Sequence, residues 1–168
     1  MRIFIIGYML SGKSTVGKKL ANVLGYEFID TDAYFEDKYH VNISNFFKSY
    51  GEEMFRKLEN EVLLELLEKD NIVISTGGGL PCFNNNMDTI KKNGISLYLE
   101  MSPISILNRL QNSKKGRPLL KDKTPDEAFD YITSSLKERE VYYKQATITI
   151  RGESPNIKEI QKEVLSIR

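Results

Sequence analysis

An α/β fold, with helices on both faces of a parallel sheet, is predicted by three features of this 168-residue sequence. Short, β-branched apolar runs alternate with segments whose apolar residues recur at helical spacing, which is the pattern of successive βαβ units. The runs are nearly continuous in their apolar character, as strands buried on both faces require. Gly7 to Thr15 reads GYMLSGKST and satisfies GxxxxGK[ST] between the first run and the first helical segment. With 40% hydrophobic residues the chain can fill one core but not two, so a single domain over residues 1–168 is expected.

Arg2 to Ile6 (RIFII) is the first strand. Val16, Leu20, Val23 and Leu24 then share a helix face, and Gly25 ends that helix. Tyr26 to Asp30 (YEFID) is the second strand. Ser44 can cap a helix carrying Phe46 and Phe47, and Phe55, Leu58, Val62 and Leu66 mark a longer helix after Gly51. Asn71 to Thr76 (NIVIST) is a third strand that runs into Gly77, Gly78 and Gly79. A helix over Met87 to Lys92, a fourth strand over Ile95 to Leu99 and a helix over Ile104 to Leu110 follow. Asn112 to Lys123, with a glycine, a proline and five basic residues, reads as a mobile loop. Thr124, Pro125 and Glu127 form a capping box for a helix through Phe129, Ile132 and Leu136. ATITI is the fifth strand, and Ile157, Ile160, Val164 and Ile167 stripe the last helix.

The composition excludes several classes of function. Twenty-four basic and 23 acidic side chains give a net charge of +1, so nothing overall points to nucleic acid or to an anionic membrane. The apolar start is too short for a membrane span of about 20 residues, has no signal-peptide cleavage pattern, and predicts a soluble cytoplasmic protein. Cys82 is the only cysteine, which rules out an intrachain disulfide or a multi-thiolate metal cluster; it reads as a small apolar residue. His40 is the only histidine and lacks a nucleophile motif, so it reads as a surface residue.

The chemistry concentrates where the strands end. In GYMLSGKST the backbone N–H groups and the helix N-terminus can surround a phosphate, Lys13 can reach β and γ oxygens, and Ser14 can ligate Mg²⁺. No NKxD sequence is present to read guanine, which favours ATP. Asp30 and Asp32 (FIDTD) close the second strand on the same sheet edge. One can hold Mg²⁺-bound water and the other a substrate hydroxyl, or they simply end the strand and cap the next helix. The three glycines permit a close backbone approach to a ligand, or a flexible turn. In GEEMFRKLENE, Arg56 lies four residues after Glu52 and three before Glu59. Pairs at those spacings contribute about 0.2–0.5 kcal/mol each, so taken alone Arg56 reads as a solvated helix residue.

Together, GYMLSGKST, DTD (Asp30 to Asp32), GEEMFRKLE (Gly51 to Glu59), TGGG (Thr76 to Gly79), RPLL (Arg117 to Leu120) and REVYYKQA (Arg139 to Ala146) resemble shikimate kinase across nearly the whole chain. The resemblance implies a three-layer P-loop kinase fold of the nucleoside monophosphate kinase type, with a five-stranded parallel sheet in the order 2-3-1-4-5. It also implies substrate-binding helices at about 32–68 and a lid at about 112–123. The implied reaction moves the γ-phosphate of ATP to the 3-hydroxyl of shikimate, with Mg²⁺ as cofactor, in chorismate and aromatic amino-acid synthesis; the family default is a monomer.

By resemblance, Lys13, Asp32 and Arg117 are catalytic, and Leu10, Ser11, Gly12, Lys13, Ser14, Thr15 and Arg117 hold ATP. Asp32, Arg56, Gly78 and Arg139 hold shikimate, while Ser14, and Asp30 through water, hold the metal. Phe47, Phe55 and Glu59 match positions that shape the pocket. Two departures stand out. Leu10 replaces the usual glycine, and RGESP (Arg151 to Pro155) does not match the adenine-contacting stretch, so no base-reading residue is assigned there. The rival readings are a kinase of the same fold acting on another polyol acid such as gluconate, and a non-catalytic nucleotide-dependent regulatory protein.

Overall fold

The first apolar run, Arg2–Ile6, forms strand β1 at the centre of the sheet, where its register fixes everything around it. A computed structural model describes residues 1–113 and 123–167. After β1 come α1 (Lys13–Leu24), β2 (Glu27–Asp30), α2 (Thr31–Tyr39), α3 (Ile43–Leu66) and β3 (Ile72–Ser75). A 3₁₀ turn (Leu80–Cys82), α4 (Asn86–Asn93), β4 (Ile95–Glu100), α5 (Pro103–Gln111), α6 (Pro125–Tyr143), β5 (Ile148–Arg151) and α7 (Ile157–Ser166) complete the order. The five strands form one sheet in the order β2-β3-β1-β4-β5, with every pairing parallel. This is the order that the resemblance implies.

The alternation within β1 divides the core. Ile3 and Ile5 pack with Val16, Leu20, Ile160 and Val164 of α1 and α7. Phe4 and Ile6 pack on the opposite face with Val62, Ile90, Ile106 and Ile132 of α3, α4, α5 and α6. All four β1 side chains are fully buried, which stabilises the fold by roughly 1.5–3 kcal/mol each before entropy is counted. Two helical layers therefore sandwich the sheet, and the C-terminal ends of all its strands open on one edge.

Most helix ends follow the sequence signals. Thr124 and Glu127 form the expected capping box, the Thr124 N–H donating to Glu127 Oε2 at 2.8 Å. The helix expected from Ser44 differs: Asn42 caps it, accepting from the Asn45 N–H at 2.8 Å, and α3 runs on to Leu66 through a kink at Gly51 (φ 78°, ψ 174°). Glycine tolerates that backbone, so two expected helices become one bent element. Helix α2 is the first of the helices that the resemblance implies over about 32–68; its apolar residues carry almost no helical stripe, and it is started by Asp30, which accepts from the Asp32 and Ala33 N–H groups. His40 is exposed and closes α2. No described helix is long and apolar enough to cross a membrane.

Candidate active site

A cleft of about 390 Å³ opens on the C-terminal edge of the sheet, lined by Met9, Leu10, Gly12 to Thr15, Asp30, Asp32, Ser75, Thr76 and Gly78. Its floor is the phosphate loop. Gly12 sits in the left-handed region (φ 96°) as the N-cap of α1 and has no side chain to occupy the first N–H groups. Those donors and the positive helix end therefore face the cleft, as an anion site needs. Lys13 is buried, and its Nζ donates to the Tyr8 carbonyl at 2.8 Å. Beside it the Ser14 hydroxyl donates to Asp30 Oδ2 at 2.5 Å and lies 3.4 Å from Ser75 Oγ. Asp30 thus caps α2 through Oδ1, as one of the two readings of the sequence has it, and at the same time faces Ser14 through Oδ2.

Leu10 takes the backbone of a glycine, with φ 63°. Its carbonyl accepts from Arg109 Nη1 at 3.0 Å, while Arg109 Nη2 donates to the Gly152 carbonyl at 3.1 Å. One α5 side chain therefore clamps the phosphate loop to the RGESP turn. Arg109 carried no sequence signal, since only the tertiary fold brings residues 10, 109 and 152 together.

The three glycines form the wall between the phosphate loop and a second set of groups. A Cβ on Gly77 would lie 2.6 Å from Asp32 Oδ1, and one on Gly79 would lie 2.6 Å from Arg56 Nη2; both would collide. A Cβ on Gly78 would meet Arg139 Nη1 at 3.3 Å. Asp32, Arg56 and Arg139 thus converge on one turn, and a Cβ at any of its three glycines would press on the end of one of these side chains. The Thr31 hydroxyl accepts from the Gly77 N–H at 2.8 Å and pins the turn to the DTD segment.

Arg56 is not the solvated residue that its helix neighbours alone would suggest, since its side chain is 14% exposed. It donates through Nη1 to Glu59 Oε2 at 2.7 Å and through Nη2 to Glu52 Oε1 at 3.3 Å, and its guanidinium lies 4.1 Å from the Phe83 ring centroid and 5.1 Å from that of Phe55. Asn84 donates to the Arg56 carbonyl at 2.9 Å. Glu59 is 4% exposed, and burial pushes its carboxyl up to about 7 against the opposing pull of Arg56. Arg139, on α6, rests over the Tyr8 ring at 5.3 Å and hydrogen-bonds the Tyr143 hydroxyl, which donates to the Gly78 carbonyl at 2.5 Å. Tyr143 lies four residues after Arg139, a spacing that could have flagged it; Tyr8 could not be linked to Arg139 without the fold.

Cys82 is half-buried nearby, and burial raises its thiol to about 11, consistent with an unreactive side chain. Arg117 and most of the lid expected at 112–123 lie outside the described residues. Among the described residues, no group of three or more His, Cys, Asp or Glu side chains could hold a metal ion by itself.

The model of a protein family described as "Shikimate kinase" matches residues 9–167. A shikimate kinase of Azobacteroides pseudotrichonymphae genomovar. CFP2 is 46% identical over 148 residues, covering 88% of this chain and 87% of that protein. The crystal structure of a shikimate kinase from Bacteroides thetaiotaomicron superposes with a TM-score of 0.92 at 37% identity, over 99% of this chain and 97% of that one. The shikimate kinase from Acinetobacter baumannii, solved in complex with shikimate, gives 0.84 at 34% identity over 99% and 91%. A gluconokinase from Sinorhizobium meliloti shares the fold alone, at 18% identity and a TM-score of 0.60.

Proposed function

The chain belongs to the shikimate kinase family, and we propose that its cleft transfers the γ-phosphate of ATP to the 3-hydroxyl of shikimate, giving shikimate 3-phosphate and ADP on the route to chorismate and the aromatic amino acids. The observation that carries this reading is the convergence of Arg56, Arg139 and Asp32 on the three-glycine turn, next to the phosphate loop. A small hydroxylated carboxylate needs cationic forks at one end and an acceptor at the other, and this wall offers both.

The Lys13 ammonium and the N–H groups at the start of α1 hold the transferring phosphate and balance the charge that develops on it. Ser14 and Asp30 fit Mg²⁺: they place a hydroxyl and a carboxylate oxygen side by side at the mouth of the phosphate loop, and a hard cation that draws its remaining ligands from phosphate and water needs no larger protein cluster. Ser14 would bind it directly and Asp30 through water. Mg²⁺, when bound with ATP, supplies charge neutralisation at the β and γ oxygens.

Asp32 accepts a hydrogen bond from the attacking hydroxyl and takes its proton as the phosphorus–oxygen bond forms. Arg56 and Arg139 hold the carboxylate, and a backbone N–H at Gly78 approaches the ring. Arg117 keeps the role at the ATP phosphates that family likeness gives it, with residues of about 112–123 acting as the lid and the helices over about 32–68 as the acceptor arm. The protein works as a cytoplasmic monomer on two small molecules, with no nucleic acid or membrane partner.

The test is ADP release with shikimate, quinate and gluconate offered separately, together with Asp32→Asn. Shikimate-dependent turnover is expected, and Asp32→Asn should lower kcat about 10²- to 10⁴-fold with little change in the ATP KM. Turnover of gluconate without shikimate would overturn the reading, and so would an Asp32→Asn enzyme of wild-type rate.

A further inference from the structure

We propose that Tyr8, a residue of the nucleotide loop, is a positioning residue for the acceptor: its ring holds Arg139 in the orientation that receives the substrate carboxylate. The proposal rests on the acceptor role given above to Arg139.

Tyr8 is fully buried and is held at three points. Its carbonyl accepts from Lys13 Nζ at 2.8 Å and from the Ser11 N–H at 3.3 Å, which ties its backbone to the phosphate site. Its ring lies 5.3 Å from the Arg139 guanidinium carbon. Its hydroxyl is bonded to Ser135 Oγ, and the Ser135 hydroxyl in turn donates to the Ile132 carbonyl, leaving the tyrosine as donor. Ser135 and Arg139 are four residues apart on α6 and so share a face. The ring thus enters between the phosphate loop and that face, fastened by its hydroxyl to one residue and covered by the guanidinium of the other. Burial raises the phenol above its ordinary range, so it remains a neutral donor through physiological pH.

Among the described residues no carboxylate lies within ion-pair distance of Arg139, so its orientation depends on neutral groups, the Tyr143 hydroxyl and the Tyr8 ring face. A partly desolvated cation over an aromatic face contributes enough to change an affinity roughly 2- to 30-fold. The residue at position 8 therefore affects how tightly the acceptor is held, although it belongs to the loop that serves ATP.

The experiment measures KM for shikimate and ATP, kcat, and ADP affinity in Tyr8→Leu, Tyr8→Met, Tyr8→Phe, Arg139→Ala and the double variant Tyr8→Leu/Arg139→Ala. Tyr8→Met supplies a flexible, polarisable apolar side chain that lacks a π face, and ADP binding certifies a folded loop in each variant. Expected is a shikimate KM raised about 5- to 30-fold in Tyr8→Leu and Tyr8→Met, with kcat and the ATP KM moving less than 3-fold. Tyr8→Phe, which keeps the ring, should restore most of that loss, and Tyr8→Leu should add nothing once Arg139 is gone. A shikimate KM at the wild-type level in Tyr8→Met, equal losses for both substrates, or full additivity with Arg139→Ala would each overturn the proposal. If Arg139→Ala itself leaves the shikimate KM unaltered, the acceptor reading fails; if it raises that KM while the Tyr8 variants do not, only the role of Tyr8 fails.

Discussion

Arg56 meets the glycine turn at Gly79 and Arg139 meets it at Gly78, yet they are held by different physics. Arg56 is paired with Glu59 at 2.7 Å and Glu52 at 3.3 Å, and it lies against two phenylalanine rings. Arg139 is supported by two tyrosines and has no ion pair among the described residues. The first arginine is therefore fixed in place but partly neutralised, whereas the second has no carboxylate paired directly with it among the described residues. A desolvated hydrogen bond to a charged group contributes about 1.5–3 kcal/mol, and the part already satisfied by a neighbouring carboxylate is not available again. With the two arginines in the acceptor roles proposed for them, the difference would separate orientation, the part of Arg56, from attraction, the part of Arg139.

Truncating each arginine tests that separation most directly and should have the largest effect. Arg139→Ala is expected to lower kcat/KM for shikimate by at least about 10²-fold, and Arg139→Lys to recover only a small part because an ammonium cannot reproduce the fork. Arg56→Ala should raise the shikimate KM by about 10-fold or more and should also destabilise the fold, because it strips Glu59 of its partner inside the protein. Steady-state kinetics and thermal unfolding of both variants decide the matter. Should Arg139→Ala unfold the protein while Arg56→Ala leaves stability untouched, the comparison is reversed.

A pH experiment on Glu59 sharpens the contrast further. Its carboxyl titrates at about 7 in the folded protein against an ordinary value of 4.5, so the folded state binds the proton more tightly than the unfolded chain. The stabilising contribution of the protonated group is complete below pH 4.5 and is lost as pH rises to about 7. That loss amounts to about 3 kcal/mol. Glu59→Gln, which cannot ionise, should therefore gain stability relative to wild type between pH 5 and 8, as read by urea unfolding. Shikimate binding should tighten as pH falls from 8 to 6, because a neutral Glu59 leaves more of the Arg56 charge for the anion. Calorimetry in buffers of different ionisation heat should show fractional proton uptake on binding to wild type and none to Glu59→Gln. Proton release would sink this account.

The contrast between the arginines also marks how far the sequence could be read. The sheet, its flanking helices and the phosphate loop were legible because each rests on local pattern: the alternation of RIFII, the spacing of Val16 and Leu20, and GxxxxGK[ST] between them. The pairs of Arg56 with Glu52 and Glu59 were equally visible as helix spacings, but the burial of Arg56 and Glu59 was not. Burial depends on Phe83 and Gly79, which arrive from beyond β3, and it converts a weak surface pair into a positioned cation whose partner titrates near neutrality. The Tyr8 support of Arg139 and the Arg109 clamp join residues more than 40 positions apart, where no periodicity connects them. Helix α2 was legible only through family likeness and its capping aspartate, since its apolar residues make no stripe.

Arg109 provides a third case that bounds the other two, because it uses its charge on backbone carbonyls rather than on carboxylates. The carbonyl of Leu10 that it holds belongs to a residue at φ 63°, a backbone that strains a residue with a Cβ by about 1–2 kcal/mol. Leu10→Gly removes the strain but adds freedom to the unfolded chain worth about 0.5–1 kcal/mol. The net should be a gain of about 0–1.5 kcal/mol, read as a rise in Tm of at most about 6 °C. Arg109→Ala, made both in the wild-type chain and in the Leu10→Gly variant, then shows what holds the loop. If the clamp maintains an otherwise unfavourable conformation, losing Arg109 should harm ATP binding more when Leu10 is present than when it has been replaced by glycine. Equal losses in the two backgrounds would mean that the loop keeps its shape unaided, and that the arginine's weight lies on the Gly152 side of its bridge.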